Sequence, residues 1–417
     1  MPADPGAIFA KIDWDYLQQW LGLFRWLHVV AAIFWVGITA YFVVIDHYLK
    51  PVEDEVAKAE GATGERHVLH GGFFYFVRGY REGPRRLPRD LYWSSPWYAY
   101  VTWLSGFLLL VVLYYADASS TMVDPAKADI SGGDAVLIGL GFLVVGQLVY
   151  VLVSHLLVRH RRICWVVLAG LIAAAAWGLD QVFATRAAYI QTGALMGTWM
   201  AANVVFVFIP AHRHQVDRRS VGRAMPDEEV ARAAQRGGHN TYLALPVLAA
   251  MLSGHWAMLS SSDHPVIALL VILLVGALLR FFFVERHQGR IRWQVVAGAG
   301  ALLLALFLYI QPDTPKSATT APKTAAAPAK PSSSADTSAP SAEGRQIFSK
   351  NCASCHTLAD ADTHGQVGPN LDAAKPDHDL VVERVTGGMG VMPSFRSTLS
   401  DAQIQAVADY VSKAAGS

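Results

Sequence analysis

Cysteine is scarce in this sequence, with three residues among 417. Three cysteines cannot build a disulfide framework, so the chain is not one of the small, cross-linked secreted folds. An excess of charge of either sign is also missing, because 34 Lys and Arg oppose 33 Asp and Glu. Nucleic-acid binding depends on a strongly basic face, and the pattern indicates none. We therefore expect no nucleic-acid partner.

Long apolar runs accompany this low charge. Charged residues make up 16% of the chain and hydrophobic residues 53%. Eight runs come near the ~20 apolar residues that a bilayer-spanning helix needs. They cover residues 16–44, 96–116, 135–157, 163–179, 187–209, 242–260, 266–283 and 293–310. The sequence therefore predicts an eight-helix transmembrane bundle that is surrounded by membrane lipid.

Basic residues are distributed unevenly between the loops that join these runs. Most of them follow the first, third, fifth and seventh runs. In contrast, residues 117–134 contain only Lys127, and residues 260–265 contain none. Loops rich in Lys and Arg stay in the cytoplasm. We therefore expect a multi-pass protein of a bacterial inner membrane, with both termini in the periplasm.

Two of the three cysteines stand in the run Cys352-Ala353-Ser354-Cys355-His356. This is the c-type haem attachment pattern, in which each thiol adds to a haem vinyl group and the imidazole of His356 meets the iron. A redox dithiol or half of a zinc site would use the same two cysteines. Zinc needs a second ligand pair, however, and the remaining Cys164 lies at the end of an apolar run. The sequence predicts one covalently bound haem c.

The residues after this motif predict the other half of the haem site. Met392 is the preferred far axial ligand because Pro393 stiffens the backbone that presents it, and a thioether ligand raises the haem potential. Met389 is the competing candidate. The run 400–403 is typical of a helix cap. One face of the closing helix would then carry Ile404, Val407, Ala408 and Val411.

The predicted fold is all-α, an eight-helix transmembrane bundle tethered to a small class I-like cytochrome c domain. The transmembrane domain covers residues 1–311 and the cytochrome c domain covers residues 342–417. Residues 312–341, rich in Ala, Pro and Ser, form the linker. A flexible linker of this length spans roughly 30 Å. The haem domain could thus reach both the membrane part and an external partner from the periplasm.

Histidine is abundant, with 15 residues. His28, His155 and His255 lie in or near the ends of apolar runs, where ionisable side chains are costly and often functional. A neutral imidazole that is hydrogen-bonded between helices is the alternative for His28 and His255. His70 and His239 stand at the predicted water boundary, where position alone favours solvated loop residues.

Three stretches of sequence favour a functional role for these histidines. They are the run around His28, Trp35 and Gly37, the run His70-Gly71-Gly72-Phe73-Phe74-Tyr75, and residues 239–255. In this order they resemble the membrane-bound bacterial urate oxidase (urate hydroxylase) family, which carries the same C-terminal cytochrome c. The resemblance covers nearly the whole chain.

The resemblance implies oxidation of urate to 5-hydroxyisourate, with water as the oxygen source and no hydrogen peroxide. Electrons would pass to the cytochrome c domain and on to the respiratory chain, through a soluble cytochrome c or a terminal oxidase. Urate or a related small purine would be the substrate. Whether the protein forms a homodimer stays open.

An anionic purine is expected near the cytoplasmic face, where the arginines and two of the motifs lie. A histidine suits proton removal near neutral pH, aromatic rings can stack on a flat ligand, and glycine lets the backbone approach it. The predicted catalytic residues are His70, His239 and Tyr75. The predicted substrate-binding residues are Gly71, Gly72, Phe73, Asn240 and Tyr242.

A cytoplasmic site lies across a hydrocarbon layer of about 30 Å from a periplasmic haem, so an intermediate carrier is needed. Paired imidazoles commonly hold b-type haem. His28 and His255 are the preferred pair, and His155 is a candidate ligand for a second, inner haem.

Two other functional classes use the same haem motif. One is a non-catalytic membrane-anchored cytochrome that relays electrons from quinol to a terminal oxidase. The other is a transporter with a regulatory cytochrome, although the helices show no broken or repeated segments. Urate-dependent reduction of the c haem distinguishes the enzyme from both.

Overall fold

The computed structural model describes residues 22–80, 96–116, 118–124, 127–260, 262, 264–310, 342–353, 355–365, 368–388, 392, 395–396 and 399–415. The chain divides into two compact units. One is Met1–His255 with Val266–Leu304, and the other is Trp256–Pro265 with Ala305–Ser417. The predicted boundaries at residues 311 and 341 stay predictions, and the linker 312–341 lies outside the described residues.

The part of the chain before the linker is mostly helical. Short π-helical segments, Val111–Tyr115 and Val204–Phe208, extend two of its helices. In chain order, its helices and strands are α1 Phe24–Tyr48, α2 Glu55–Ala59, β1 Gly64–His70, β2 Phe73–Gly79, α3 Trp97–Leu110, α4 Ala118–Thr121, α5 Gly132–Leu156, α6 Arg161–Val182, α7 Thr185–Asn203, α8 Ile209–Ser220, α9 Asp227–Leu252, α10 Ala257–Ser260, α11 Pro265–His287 and α12 Trp293–Tyr309.

Six helical segments in the described residues are long and apolar enough to cross a membrane. These are Phe24–Tyr48, Trp97–Tyr115, Gly132–Leu156, Arg161–Val182, Thr185–Ser220 and Pro265–His287. Each of the eight predicted runs contains helix, but the count of eight spans is not confirmed. The first half of α9 is polar, and α12 has only 17 residues. The protein is thus a mostly helical membrane protein.

Residues 64–79 depart from the predicted all-α fold. They form an antiparallel hairpin in which His70 pairs with Phe73. Gly71 and Gly72 have φ angles of 60° and 82°. A two-residue turn with positive φ at both positions matches the twist of the flanking strands and favours glycine strongly. The all-α prediction is wrong here because the chain reverses through two glycines and the flanking residues pair as strands.

Helix α7 is the central helix of the first unit and packs against α3, α5, α6 and α9. Most of its residues are buried, and they include polar ones such as Gln191 and Asn203. A helix buried around most of its circumference must satisfy these polar groups by contacts with neighbouring helices. Gln191 does so by donating to the carbonyl of Gly139 on α5 at 2.6 Å. Polar contacts between helices therefore organise this bundle.

A close approach joins α9 and α11. Pro246 lies inside α9, and a Cβ on Gly276 of α11 would come within 3.0 Å of the Pro246 nitrogen. Proline leaves an unpaired carbonyl one turn earlier and bends its helix. The absence of a side chain at Gly276 leaves room for Pro246 of α9 to pack against α11.

The haem domain has a small helical core. Its elements are α13 Ala342–Asn351, β3 Thr357–Leu358, β4 Thr363–His364, α14 Leu371–Ala374, α15 His378–Gly387 and α16 Asp401–Ala414. Helices α13 and α16 pack together, with the rings of Phe348 and Tyr410 at 5.9 Å. Ser400 and Gln403 form the predicted capping box. The predicted apolar face of α16 is buried, which confirms that prediction; it consists of Ile404, Val407, Ala408 and Val411.

Candidate functional site

The first candidate site is the haem-attachment segment that follows α13. The backbone N–H of Cys352 donates to the carbonyl of Phe348, and the N–H of His356 donates to the carbonyl of Cys352. These bonds form a turn that carries Cys352, Cys355 and His356 on one short segment. The His356 ring is buried, and its Nδ1 donates to the carbonyl of Pro369 at 3.0 Å.

This hydrogen bond determines which ring nitrogen of His356 can bind a metal. A carbonyl only accepts, so Nδ1 carries the proton and Nε2 keeps its lone pair. Burial lowers the pKa of the His356 imidazole, which favours the neutral ligand form. A Cβ on Gly368 would collide with this ring. Glycine at position 368 therefore lets the loop lie directly against the imidazole.

The haem domain also supplies a thioether. Met392 is half-buried and packs against the core that contains Cys352 and Phe348. The competing Met389 lies outside the described residues, as does Pro393. Two thiols, one oriented imidazole and one thioether fit a covalently attached haem c with His and Met axial ligands.

The second candidate site is a buried polar cluster among four helices of the first unit. Each member is more than nine-tenths buried. On α9 the members have the spacing i, i+1, i+4 and i+5, which places them on one side of the helix. We call it the His239 cluster; it consists of Tyr150 and Ser154 of α5, Cys164 of α6, Asn203 of α7, and Gln235, Arg236, His239 and Asn240 of α9.

Hydrogen bonds connect the cluster across these helices. The Tyr150 hydroxyl and the Nδ1 atom of His239 lie 2.9 Å apart. The amide of Asn203 donates to the Tyr150 hydroxyl at 2.7 Å and to Oδ1 of Asn240 at 2.8 Å. The other ring nitrogen of His239, Nε2, lies 3.8 Å from Sγ of Cys164. His239 is thus held by side chains from two neighbouring helices, α5 and α6, and Asn203 of α7 supports Tyr150.

Aromatic rings enclose the same cluster. Tyr150 stacks on Trp199, with centroids 4.7 Å apart and an interplanar angle of 9°. The guanidinium carbon of Arg236 lies 4.6 Å from the Tyr150 ring centroid. Trp165 contacts His239 edge to face at 4.9 Å and Tyr242 at 5.5 Å. The cluster thus combines a cation, an imidazole and flat apolar surfaces, which together suit a planar polar ligand.

The predicted substrate-site residues separate into two groups. His239 and Asn240 belong to the cluster, and Tyr242 lies beside Trp165. In contrast, His70, Gly71, Gly72, Phe73 and Tyr75 lie at the hairpin tip, where Phe73 is 70% exposed and Tyr75 50%. Among the hydrogen bonds and ring contacts of the described residues, none joins this tip to the cluster. The roles assigned to both groups stay predictions.

Sequence reasoning missed Tyr150, Ser154, Cys164, Asn203 and the pair Gln235–Arg236. A signal existed on α9, because Gln235 and Arg236 stand one turn before His239 and Asn240 and so share their face. A second signal was Asn203, whose polar amide lies inside an apolar run. Burying such a group in a membrane is costly unless it is hydrogen-bonded. Tyr150, Ser154 and Cys164 carried no comparable signal.

The three histidines predicted to hold b-type haem have different surroundings. His28 donates from Nδ1 to the carbonyl of Thr102 at 2.9 Å, and its ring lies against Gly106 of α3. His255 is in a short 3₁₀ turn, Ser253–His255, and is exposed, as is His155 on α5. Of these three histidines, His28 is the one whose Nδ1 is fixed by a hydrogen bond to another helix among the described residues.

Each of the two parts of the chain matches a known protein family. Residues 15–311 match the family described as urate oxidase N-terminal. Residues 339–411 match the family described as cytochrome C oxidase, cbb3-type, subunit III. The first match covers more than half of the chain and includes both the His239 cluster and the hairpin.

Relatives of the haem domain include several cytochromes. Cytochrome c6 of Leptolyngbya boryana is 39% identical over 77 residues, which are 18% of this chain and 91% of that protein. The cbb3-type cytochrome c oxidase subunit CcoP of Cereibacter sphaeroides is 41% identical over 76 residues, 17% of this chain and 26% of that subunit. The c-type cytochrome SorU of Sinorhizobium meliloti is 53% identical, covering 18% of this chain and 90% of that chain with a TM-score of 0.17. The chain therefore belongs to the urate oxidase N-terminal family and carries a cytochrome c domain at its C-terminal end.

Proposed function

We propose that this protein oxidises urate to 5-hydroxyisourate in the membrane and passes the electrons to its own haem c. One urate monoanion and one water give one neutral 5-hydroxyisourate, one proton and two electrons, so no oxygen is consumed at this site and no hydrogen peroxide forms. The observation that carries the proposal is the His239 cluster, a buried polar site within the part of the chain that matches urate oxidase. The haem c domain supplies the acceptor, which takes one electron at a time.

His239 is the residue best suited to move protons in this reaction. Its Nδ1 is hydrogen-bonded to Tyr150, while Nε2 lies 3.8 Å from the weakly polar sulfur of Cys164. A neutral imidazole that is held in this way can accept a proton from the substrate or from the attacking water. Asn240 and Asn203 present amide groups next to it and can hydrogen-bond polar edges of a purine.

The charge of the surrounding loops supports a cytoplasmic position for this site. Ser154 lies near the end of α5 and Cys164 near the start of α6. The loop between these helices and the start of α6 carry Arg159, Arg161 and Arg162. Arginine-rich loops favour the cytoplasmic side. We infer that urate enters from the cytoplasm and that the haem domain lies in the periplasm of an inner membrane.

This arrangement needs a carrier between the two sites. We propose a b-type haem between His28 and His255, because the hydrogen bond from Nδ1 of His28 to Thr102 leaves the lone pair on Nε2, the nitrogen that would bind iron. A pyridine haemochrome assay on purified protein should show b-type haem in addition to one c-type haem. Finding only c-type haem would remove this carrier and move the substrate site towards the periplasmic face. A second haem at His155 stays a sequence-based prediction.

The proposed function has a direct test. Anaerobic addition of urate to oxidised, fully haem-loaded protein should reduce the c haem, with its α band appearing and two electrons delivered per urate. Hypoxanthine, added as a control, should leave the haem ferric. A haem that stays ferric with excess urate would disprove the enzyme assignment.

The alternative is a non-catalytic cytochrome that relays electrons from quinol to a terminal oxidase. The match of the haem domain to a cbb3-type oxidase subunit supports such an electron-relay role for the C-terminal domain. Reduction of the haem by a quinol but not by urate would support it. In either case, a soluble cytochrome c or a terminal oxidase is the proposed acceptor.

A further inference from the structure

We infer that Arg236 is the anion-binding residue of the His239 cluster and that the cluster accepts a planar, singly charged heterocycle. The inference rests on the proposed function and deepens it, because it names the residue that recognises the charge of the substrate. The presence of an arginine is not enough for this inference, since many arginines near membrane surfaces interact with lipid headgroups or water.

The first observation is burial without a counter-charge. Arg236 is 6% exposed, and its Nη1 atom has no hydrogen-bond partner in the described part of the chain. A buried charge is costly unless an opposite charge and hydrogen bonds compensate for it. None of the ion pairs between described residues includes this guanidinium. A bound anion would supply both kinds of compensation.

The acidic side chains close to Arg236 in sequence are engaged elsewhere. Glu228 pairs with Arg159 at 3.3 Å, and Glu229 pairs with His214 at 2.7 Å. Both lie about two turns before Arg236 on α9. The helix therefore carries carboxylates near the arginine without directing either of them to it.

The buried carboxylates of the first unit are also paired with other cations. Asp180 pairs with Lys127 at 2.8 Å. Glu285 pairs with Arg290 at 2.8 Å and with Arg292 at 2.9 Å. Neither of these buried carboxylates therefore compensates the charge of the Arg236 guanidinium.

The second observation is that neutral polar atoms are unsatisfied in the same cluster. Oε1 of Gln235 and Oγ of Ser154 are buried without hydrogen-bond partners among the described residues. Gln235 already uses its Nε2 to contact Cys164 at 3.5 Å. A carbonyl acceptor, a hydroxyl and a guanidinium donor match a heterocycle that carries both N–H donors and anionic oxygen or nitrogen. They match a simple halide or a lipid tail poorly.

The third observation is that the guanidinium is positioned before any ligand binds. It lies over the ring of Tyr150, which stacks on Trp199. Such a cation–π contact orients the planar fork of arginine, which can then form two parallel hydrogen bonds to one edge of an anion. His239 lies one helical turn away on α9. An anion held by Arg236 would therefore lie close to the proposed base.

The test compares Arg236→Gln and Arg236→Lys with Arg232→Gln. Arg232 lies one turn earlier on α9 and is exposed, so it controls for the loss of one charge from this helix. The measurement is the urate concentration that gives half-maximal anaerobic reduction of the c haem. Truncating one partner of a buried charge pair costs several kcal/mol, so we expect Arg236→Gln to raise this concentration by about 30-fold or more. Arg236→Lys should recover part of the loss, and Arg232→Gln should stay within about twofold of wild type.

A binding measurement keeps this inference separate from the proposed function. Equilibrium dialysis of radiolabelled urate against the oxidised protein needs no turnover. Loss of urate binding in Arg236→Gln, with an unchanged c-haem spectrum and melting temperature, supports the anion site even if urate never reduces the haem. Equal urate binding in wild type and Arg236→Gln overturns it, even if urate does reduce the haem. If Arg236→Gln does not fold, equal affinity of the wild-type protein for urate and for neutral hypoxanthine overturns the inference.

Discussion

Replacing both Cys352 and Cys355 with serine is expected to remove covalent haem c and to abolish urate-dependent electron transfer to external acceptors. Serine cannot form the thioether bonds, so His356 and Met392 would have to hold the porphyrin without covalent support. The measurement is haem staining after denaturing electrophoresis, together with urate-dependent oxygen uptake by membranes. Both signals should fall to background.

The third cysteine is the matched control for this substitution. Cys164→Ser removes a thiol from the His239 cluster in the first unit, and full haem staining should remain. Urate binding by equilibrium dialysis should persist in the double-serine variant because its substitutions lie outside the cluster. Haem staining of normal intensity in that variant would contradict the attachment site.

Replacing His239 with alanine is expected to lower the rate of urate-dependent haem reduction by about 100- to 10,000-fold, the usual effect of losing a general base. The imidazole is 1% exposed and oriented by Tyr150, so no solvent group can easily replace it. The measurement is stopped-flow reduction of the c haem under anaerobic conditions. The c-haem spectrum after dithionite should be unchanged.

His160→Gln is the control for the loss of a histidine close to the cluster. His160 is exposed just before α6 and has no assigned role. The same experiment on His70→Ala decides whether the hairpin belongs to the site. A loss as large as that of His239→Ala would support the predicted catalytic role of His70. Wild-type rates in His239→Ala would remove His239 from the reaction.

Prediction from sequence succeeded where a function depends on neighbouring residues along the chain. The spacing Cys352-x-x-Cys355-His356 is a requirement of haem chemistry and is visible without any fold. The capping box at Ser400 and Gln403 is likewise local, and the structure contains it. Long apolar helices were also predictable, because a bilayer sets their length and composition.

The hairpin gives a second explanation for a local sequence signal. Gly71 and Gly72 were read as an approach for a flat ligand, although two adjacent glycines between aromatic runs are also a turn signal. The structure uses both glycines at positive φ in the turn. The turn conformation alone explains why both positions are glycine. The predicted role of the exposed aromatic residues beside them stays a prediction.

The sequence by itself determined the haem-attachment chemistry, the apolar helices and the presence of His239 in a polar stretch, because each of these is encoded by residues close together in the chain. Only the tertiary structure decided that Tyr150, Asn203 and Arg236 surround that histidine. Residues far apart in sequence meet there because four helices pack against one another, and the pattern of a single helix does not specify its neighbours. The buried guanidinium beside an imidazole is therefore a property of the packed bundle, and it cannot be inferred from one segment alone.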